Sequence, residues 1–248
     1  MTPEFLAALV TVVVAVGLRL SLMVFLLPGI GERAVPVRVR LGIVLALLGA
    51  LVPFALADAP PVTDVPLLPL MLSEALIGFG LGFSLRVMIY ALTIAGTVIA
   101  QVMSLSQILG AALTDEGNPS VSLLLTMAGA ALFVTLDLHA VVVGLVAESY
   151  EVFPLADFPA TGALAEWATA RSAAAFTLAV SLALPFVLIG FIYNVVLGLI
   201  NQAMPQMMVT FVGVPANVLA GLFLLAASLG VILVAWTGAL DAAQLRFW

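Results

Sequence analysis

The chain has no cysteine, no lysine and one histidine, His139, among its 248 residues. Without thiolates there can be no disulfide and no thiolate zinc site, and one histidine leaves no Cys or His dyad for nucleophilic chemistry. Charge is scarce too, at 8% of residues, where ordinary soluble domains carry roughly 25%. Seven arginines face thirteen acidic residues for a formal charge of -6, so no basic surface is offered to nucleic acid. Hydrophobic residues make up 65% of the chain. That composition places it among membrane proteins before any motif is read.

About 20 consecutive apolar residues cross a hydrocarbon core as a helix. By that measure the candidate spans are residues 5–27, 41–57, 70–90, 91–111, 121–147, 173–200 and 212–236. Residues 70–111 are nearly uninterrupted, and hydropathy leaves two spans, one bent helix or a hairpin open. Between the runs lie PGIGERAVPVRVR at 28–40, DAPPVTDVPLLP at 58–69, TDEGNPS at 114–120 and SYEVFPLADFPATGALAEW at 149–167. These stretches are rich in proline, glycine or acid, which stop helices. The N-terminal run carries Glu4 where a secretory signal has a basic residue, and it reads as a first retained span. Arg33, Arg38 and Arg40 share one loop while the next has Asp58 and Asp64, which puts residues 28–40 in the cytoplasm and the N-terminus outside. The expected fold is all-α: one polytopic integral membrane unit, residues 1–248, of long, broken helical hairpins.

Several polar features stand inside this apolar sequence. Arg19, Glu74, Arg86, Asp137 and His139 fall within or beside the runs, where an ionisable group is costly unless it is paired or faces a polar cavity. Scattered singles favour ion pairs that hold helices in register over a relay along a pore. Gly78 and Gly82, four apart in SEALIGFGLGF, have the small-xxx-small spacing that lets two helix backbones touch in lipid. They lack the strand and glycine order of a nucleotide site. Gly190, Asn194, Gly198 and Gln202 recur every four residues and form a slowly drifting stripe that reads as a contact face toward protein. The break QILGAALTDEGNPS at 107–120 is a surface turn on the general rule for connections, or a gate if it lies deep, because irregular backbone at membrane depth must be buried in protein or line a cavity.

NQAMPQMMVTFVGVP at 201–215 is the most polar of the interruptions, with Pro205 and a Gly213–Val214–Pro215 corner expected to end one helix and launch the next. Its pattern PQ-x(4)-F-x-G-x-P, formed by Pro205, Gln206, Phe211, Gly213 and Pro215, resembles the FliR family of flagellar export-gate proteins and their injectisome counterparts. PGIGERAVPVRVRLGIVLAL, SEALIGFGLGF, the Gln101–Pro119 segment and ESYEVFP at 148–154 follow the same order, so the likeness spans roughly residues 15 to 225. The resemblance implies a non-enzymatic subunit of a type III protein export gate, without cofactor or metal. Its implied partners are FliP-like and FliQ-like subunits, an FlhB-like protein, unfolded export substrates and membrane lipid at the flagellar basal body in the bacterial inner membrane. It implies a FliP-like part over about 1–165 and a FliQ-like part over 166–248.

The family's pore plug maps onto Ser106, Gln107, Ile108, Leu109, Gly110, Asp115, Gly117, Asn118 and Pro119, which turns the gate reading of that break into the favoured one. The chain departs from the family pattern at Gln202, where a basic residue is frequent, at Met208 for an asparagine, and at Asn217, where a lysine is common. A small-molecule secondary transporter is the alternative function, motivated by the broken helices and intramembrane charges. It lacks an inverted repeat and a midplane acid cluster.

Overall fold

The computed structural model describes residues 3–32, 35–57, 66–103, 120–155, 157–204 and 209–244. Among these residues the regular structure is entirely helical: α1 (Pro3–Leu26), α2 (Val37–Ala57), α3 (Leu67–Val102), α4 (Ser120–Thr135), α5 (Leu138–Val152), α6 (Thr161–Ala203) and α7 (Val209–Gln244). Four helical stretches, Leu6–Leu26, Leu67–Val102, Thr161–Ala203 and Pro215–Ala242, are long and apolar enough to cross a membrane, and the bent pair α4–α5 could supply a fifth. The chain is an all-α polytopic membrane protein.

Of the arrangements that hydropathy left open for residues 70–111, the described part is one unbroken helix. α3 has 36 residues, about 54 Å at 1.5 Å per residue, and its one proline, Pro69, stands in the first turn, where a helix tolerates it. The opposite happens at 121–147, expected as one span. There α4 ends at a turn where Asp137 takes φ 54°, ψ 23°, the left-handed region that does not continue a right-handed helix, and the chain bends by 73° into α5. The Asp137 carbonyl then accepts from the Ala140 N–H at 2.9 Å to start α5.

The helices form two compact units that interleave along the chain: residues 1–87, 130–172 and 243–248 in the first, 88–129 and 173–242 in the second. In the first, the α1–α2 loop is folded by arginines reaching back from later helices. Arg86 pairs with Glu32 at 2.5 Å, while Arg40 donates to the Glu32 and Val35 carbonyls at 2.5 and 2.9 Å. Gly29 turns the chain at φ 77°, with no room for a Cβ beside the Val134 side chain and the Ala130 carbonyl.

In the second unit the C-terminal part of α3 is the central element. Leu92, Ala95 and Ile99 are fully buried. Thr93 meets Thr126 of α4 through their hydroxyls at 3.0 Å, and its carbonyl accepts from the Ser122 hydroxyl at 3.0 Å. Trp236 of α7, also fully buried, donates its indole N–H to the Met88 carbonyl at 2.9 Å. Glycine sets how close α3 and α4 come: a Cβ on Gly96 would stand 2.5 Å from the Ser122 Cα and 2.8 Å from its nitrogen. Backbone cannot swing aside as a side chain can. Gly96→Val is therefore expected to cost about 3 kcal/mol, the upper end for overpacking, read as a lower thermal unfolding midpoint in detergent. Gly144→Ala, where a Cβ meets nothing within 4 Å among the described residues, should stay within about 1 kcal/mol of the parent.

Candidate functional site

Three kinds of site were expected: a plug, a glycine and amide contact surface, and charges inside the apolar runs. The residues assigned to the plug, Ser106 to Pro119, lie outside the described residues, as do Pro205 and Gln206 and the side chains of His139 and Phe211. The charges give the most defined geometry.

Arg19 of α1 and Glu74 of α3 are both completely buried. Arg19 Nε donates to Glu74 Oε2 at 2.6 Å and Nη2 to Oε1 at 2.9 Å, the two-pronged match of guanidinium and carboxylate. Its other contacts come from α5 and the turn that follows. Nη1 donates to the Ser149 hydroxyl at 2.9 Å, Nη2 to the Phe153 carbonyl at 3.1 Å, and the guanidinium lies 3.8 Å over the Tyr150 ring. The Ser149 hydroxyl in turn donates to the Val146 carbonyl at 2.6 Å. The cluster binds three helical elements through one cation and is sealed from water, so its chemistry is that of a structural register. Arg86, paired with Glu32, likewise has an intramolecular partner, and ion pairing accounts for these three charges.

Gly78 and Gly82 continue the same seam of α3. Gly78 leaves the Arg19 backbone directly against α3, with no room for a side chain, and a Cβ on Gly82 would stand 2.7 Å from Leu26 Cβ. The matched order, Arg19 with Gly78 and then Leu26 with Gly82, means α1 and α3 run parallel. Beside this seam lies an apolar cavity of about 390 Å³, lined by Ile77, Leu81, Phe153, Leu164 and Trp167 among others, with no ionisable side chain in its walls among the described residues.

The stripe on α6 divides. Gly190 packs on Val102 with no space for a Cβ, whereas Gly198 has nothing within 4 Å among the described residues. Asn194 is exposed and turns its amide back to the Gly190 carbonyl at 2.8 Å; Gln202 is exposed in the last turn. Four residues advance a helix by 400°, so the stripe drifts about 40° per step. It leaves the buried seam of Ala175, Ala179, Leu182 and Phe186 within two turns.

The expected Gly213–Val214–Pro215 corner is corrected. α7 begins at Val209, so Gly213 and Pro215 stand inside its first turns. Gly213 there accepts a hydrogen bond from the Tyr193 hydroxyl of α6, and a Cβ in its place would press on that hydroxyl at 2.8 Å. Ser149, Tyr150 and Asn217 were not singled out as contacts from the sequence. ESYEVFP was visible only as a stretch of family likeness, because nothing local reports that two of its polar side chains face an arginine 130 residues away.

The ion pair yields a direct test. Arg19→Met or Glu74→Leu alone leaves one charge buried without its partner, which is expected to cost about 3–5 kcal/mol. The double variant leaves no unpaired charge and should recover most of that loss. Thermal unfolding of all four forms in detergent, taken as a double-mutant cycle, measures the coupling; additive losses would refute it.

The sequence profile described as Bacterial export proteins, family 1, matches residues 10–243. The flagellar biosynthetic protein FliR of Caulobacter vibrioides is 33% identical over 222 residues, covering 88% of each chain. The FliR of Aquifex aeolicus is 32% identical, covering 87% of this chain and 84% of its own, and that of Escherichia coli K12 is 29% identical, covering 85% and 81%. The profile match runs from α1 nearly to the end of α7 and takes in the ion pair, the glycine seam and Gly213–Asn217: the chain belongs to family 1 of the bacterial export proteins, the family of FliR.

Proposed function

We propose that this chain is a non-enzymatic subunit of a flagellar type III protein export gate in the bacterial inner membrane, at the flagellar basal body. The observation that carries the reading is the family match over residues 10–243 together with relatives named flagellar biosynthetic proteins. In this reading the chain joins FliP-like and FliQ-like subunits, with an FlhB-like protein at the cytoplasmic side, around a conduit for unfolded flagellar proteins. Residues 1–165 form the FliP-like part and 166–248 the FliQ-like part. Residues 106–119 form the plug, whose apolar side chains and glycine backbone keep water and ions out until substrate is driven through.

The outer faces of α6 and α7 support a partnered role. Phe176, Leu188, Phe191, Ile192, Leu219, Phe223 and Val231 are each more than half exposed in the isolated chain, an extent of apolar surface that has to be covered by lipid or by other subunits. Gly198 lies on that face. A partner helix can approach most closely where no side chain projects.

Co-expression with FliP-like and FliQ-like proteins tests the assembly. A stable complex that survives purification is expected; a monodisperse chain that never associates with them would overturn the reading. Gly198→Leu is expected to leave the thermal midpoint of the isolated chain within about 0.5 kcal/mol, as for a surface change, while reducing co-purification. Unchanged assembly would remove Gly198 from the interface. Deletion of residues 110–117 should make the assembled gate leak ions in proteoliposomes. A properly assembled deletion complex that stays sealed would remove the plug assignment.

A further inference from the structure

The apolar cavity of the first unit is open on one side and closed by α3 on the other. Ile77 and Leu81 of α3, 5% and 4% exposed, form its floor. Gly80 between them leaves the floor unfilled: a Cβ there would have Trp167 and Leu164 as its nearest neighbours, at 3.7 and 3.9 Å, which are ordinary contact distances. Val152 at the end of α5 and Ala163 in the first turn of α6 also line the space, and both are exposed, so it opens outward beside them. Its volume of about 390 Å³ lies within the roughly 300–1,000 Å³ typical of small-molecule sites.

α3 and α6 are both long and apolar enough to cross a membrane, so the medium that meets this opening in a bilayer is lipid. An empty apolar groove forfeits dispersion contacts along its walls, and a flexible hydrocarbon tail restores them. Tail burial alone selects no particular lipid, because lipid tails are as apolar as leucine; selection has to come from the headgroup. Charge is gathered at this end of the unit. Glu148, Glu151, Asp157 and Glu166 are all exposed, and Glu148 stands one turn before Val152, as Glu166 stands one turn after Ala163, on the same helix faces. Arg171, buried, lies 5.8 Å over the ring of Trp167, a residue type that favours the headgroup level of a membrane. Exposed carboxylates repel an anionic headgroup and attract an ammonium, while the arginine's charge favours the phosphate that every such headgroup carries.

From this arrangement we infer that the cavity is a lipid site: it takes one acyl tail of a phospholipid whose headgroup bears an ammonium, with Glu151 and Glu166 holding that ammonium at the mouth. The test reconstitutes the full chain into vesicles of phosphatidylethanolamine and phosphatidylglycerol in equal amounts, extracts it again in mild detergent and counts the retained lipids by mass spectrometry. Gly80→Leu fills the cavity from its floor and Ala163→Phe from its mouth. Ala163 is exposed, so its variant keeps the test open if Gly80→Leu does not fold, and thermal unfolding midpoints check both. The double variant Glu151→Gln, Glu166→Gln removes the charges and leaves the cavity as it is.

The parent chain is expected to retain phospholipid that the filled variants lose, enriched roughly threefold in phosphatidylethanolamine over the vesicle composition, the gain of a surface ion pair. The double glutamine variant should keep the lipid and lose the enrichment. Equal retention by the parent and a folded filled variant overturns the tail site. If Gly80→Leu leaves retention unchanged and instead weakens co-purification with FliP-like and FliQ-like subunits, the groove takes a partner's side chain and the lipid site is overturned in that way. Retained lipid that matches the vesicle composition, or enrichment that survives the double glutamine change, overturns the headgroup assignment.

Discussion

Arg19 has no water to fall back on. A guanidinium at zero exposure is cut off from solvent, so every contact that solvent would supply has to come from the fold. That requirement sets the arrangement of the first unit. On a helix a long side chain leans toward the N-terminus, so Arg19 reaches back along α1 from the level of its own backbone. Its backbone sits against Gly78, and its side chain meets Glu74, one turn earlier on a helix that runs parallel. The glycine and the carboxylate are four residues apart for this reason. One lets the backbones come close and the other catches the charge that the approach buries. Ser149 and the Phe153 carbonyl accept two more of its N–H groups, which draws α5 into the same register.

The second unit meets the same constraint without an ion pair. Apart from the Thr93–Thr126 hydroxyl pair, its polar links between helices among the described residues run from side-chain donors to backbone carbonyls: Trp236 to Met88, Tyr193 to Gly213, Asn217 to Val102 and Ser122 to Thr93. A helical carbonyl can accept a second hydrogen bond without leaving its ladder, because it has two lone pairs. Such links therefore satisfy a buried donor without breaking the helix. They also fix register, since each donor reaches one carbonyl and a shift by a residue would strand it in an apolar interior.

How much of this was legible in the sequence follows from what each signal measures. Hydropathy reports removal from water, so it found the apolar helices and the membrane class, and the scarcity of charge made Arg19, Glu74 and Arg86 conspicuous enough to be read as intramolecular pairs. It carries no information on backbone dihedrals. Asp137 was visible as an acid in an apolar run, but not as the left-handed residue that splits 121–147 into α4 and α5. Proline and glycine were read as breakers at 213–215, yet α7 passes through both. A proline removes one hydrogen bond from a helix, and in membrane helices neighbouring groups compensate for that loss. The four-residue repeat on α6 gave the drift of the stripe but not which neighbour each position meets: Gly190 packs on Val102 within the chain, while Gly198 has drifted off that seam.

The polar groups sort by where their hydrogen bonds end. On α6 and α7, Thr177, Ser181, Asn194 and Ser228 each donate to the carbonyl four residues earlier in their own helix. Such a group has a donor engaged before any partner arrives, so the surface it belongs to can rest against lipid or against another apolar helix at reduced cost. Asn217 and Arg19 differ because their bonds end on another helix and are lost if that helix moves. Asn194 and Asn217 show the contrast within one residue type: the same amide, on two adjoining helices, is locally satisfied in one case and committed to a neighbour in the other. The committed set, then, specifies the fold of the single chain, and the locally satisfied set leaves the outer faces free to take whatever apolar surface the assembly or the bilayer brings to them.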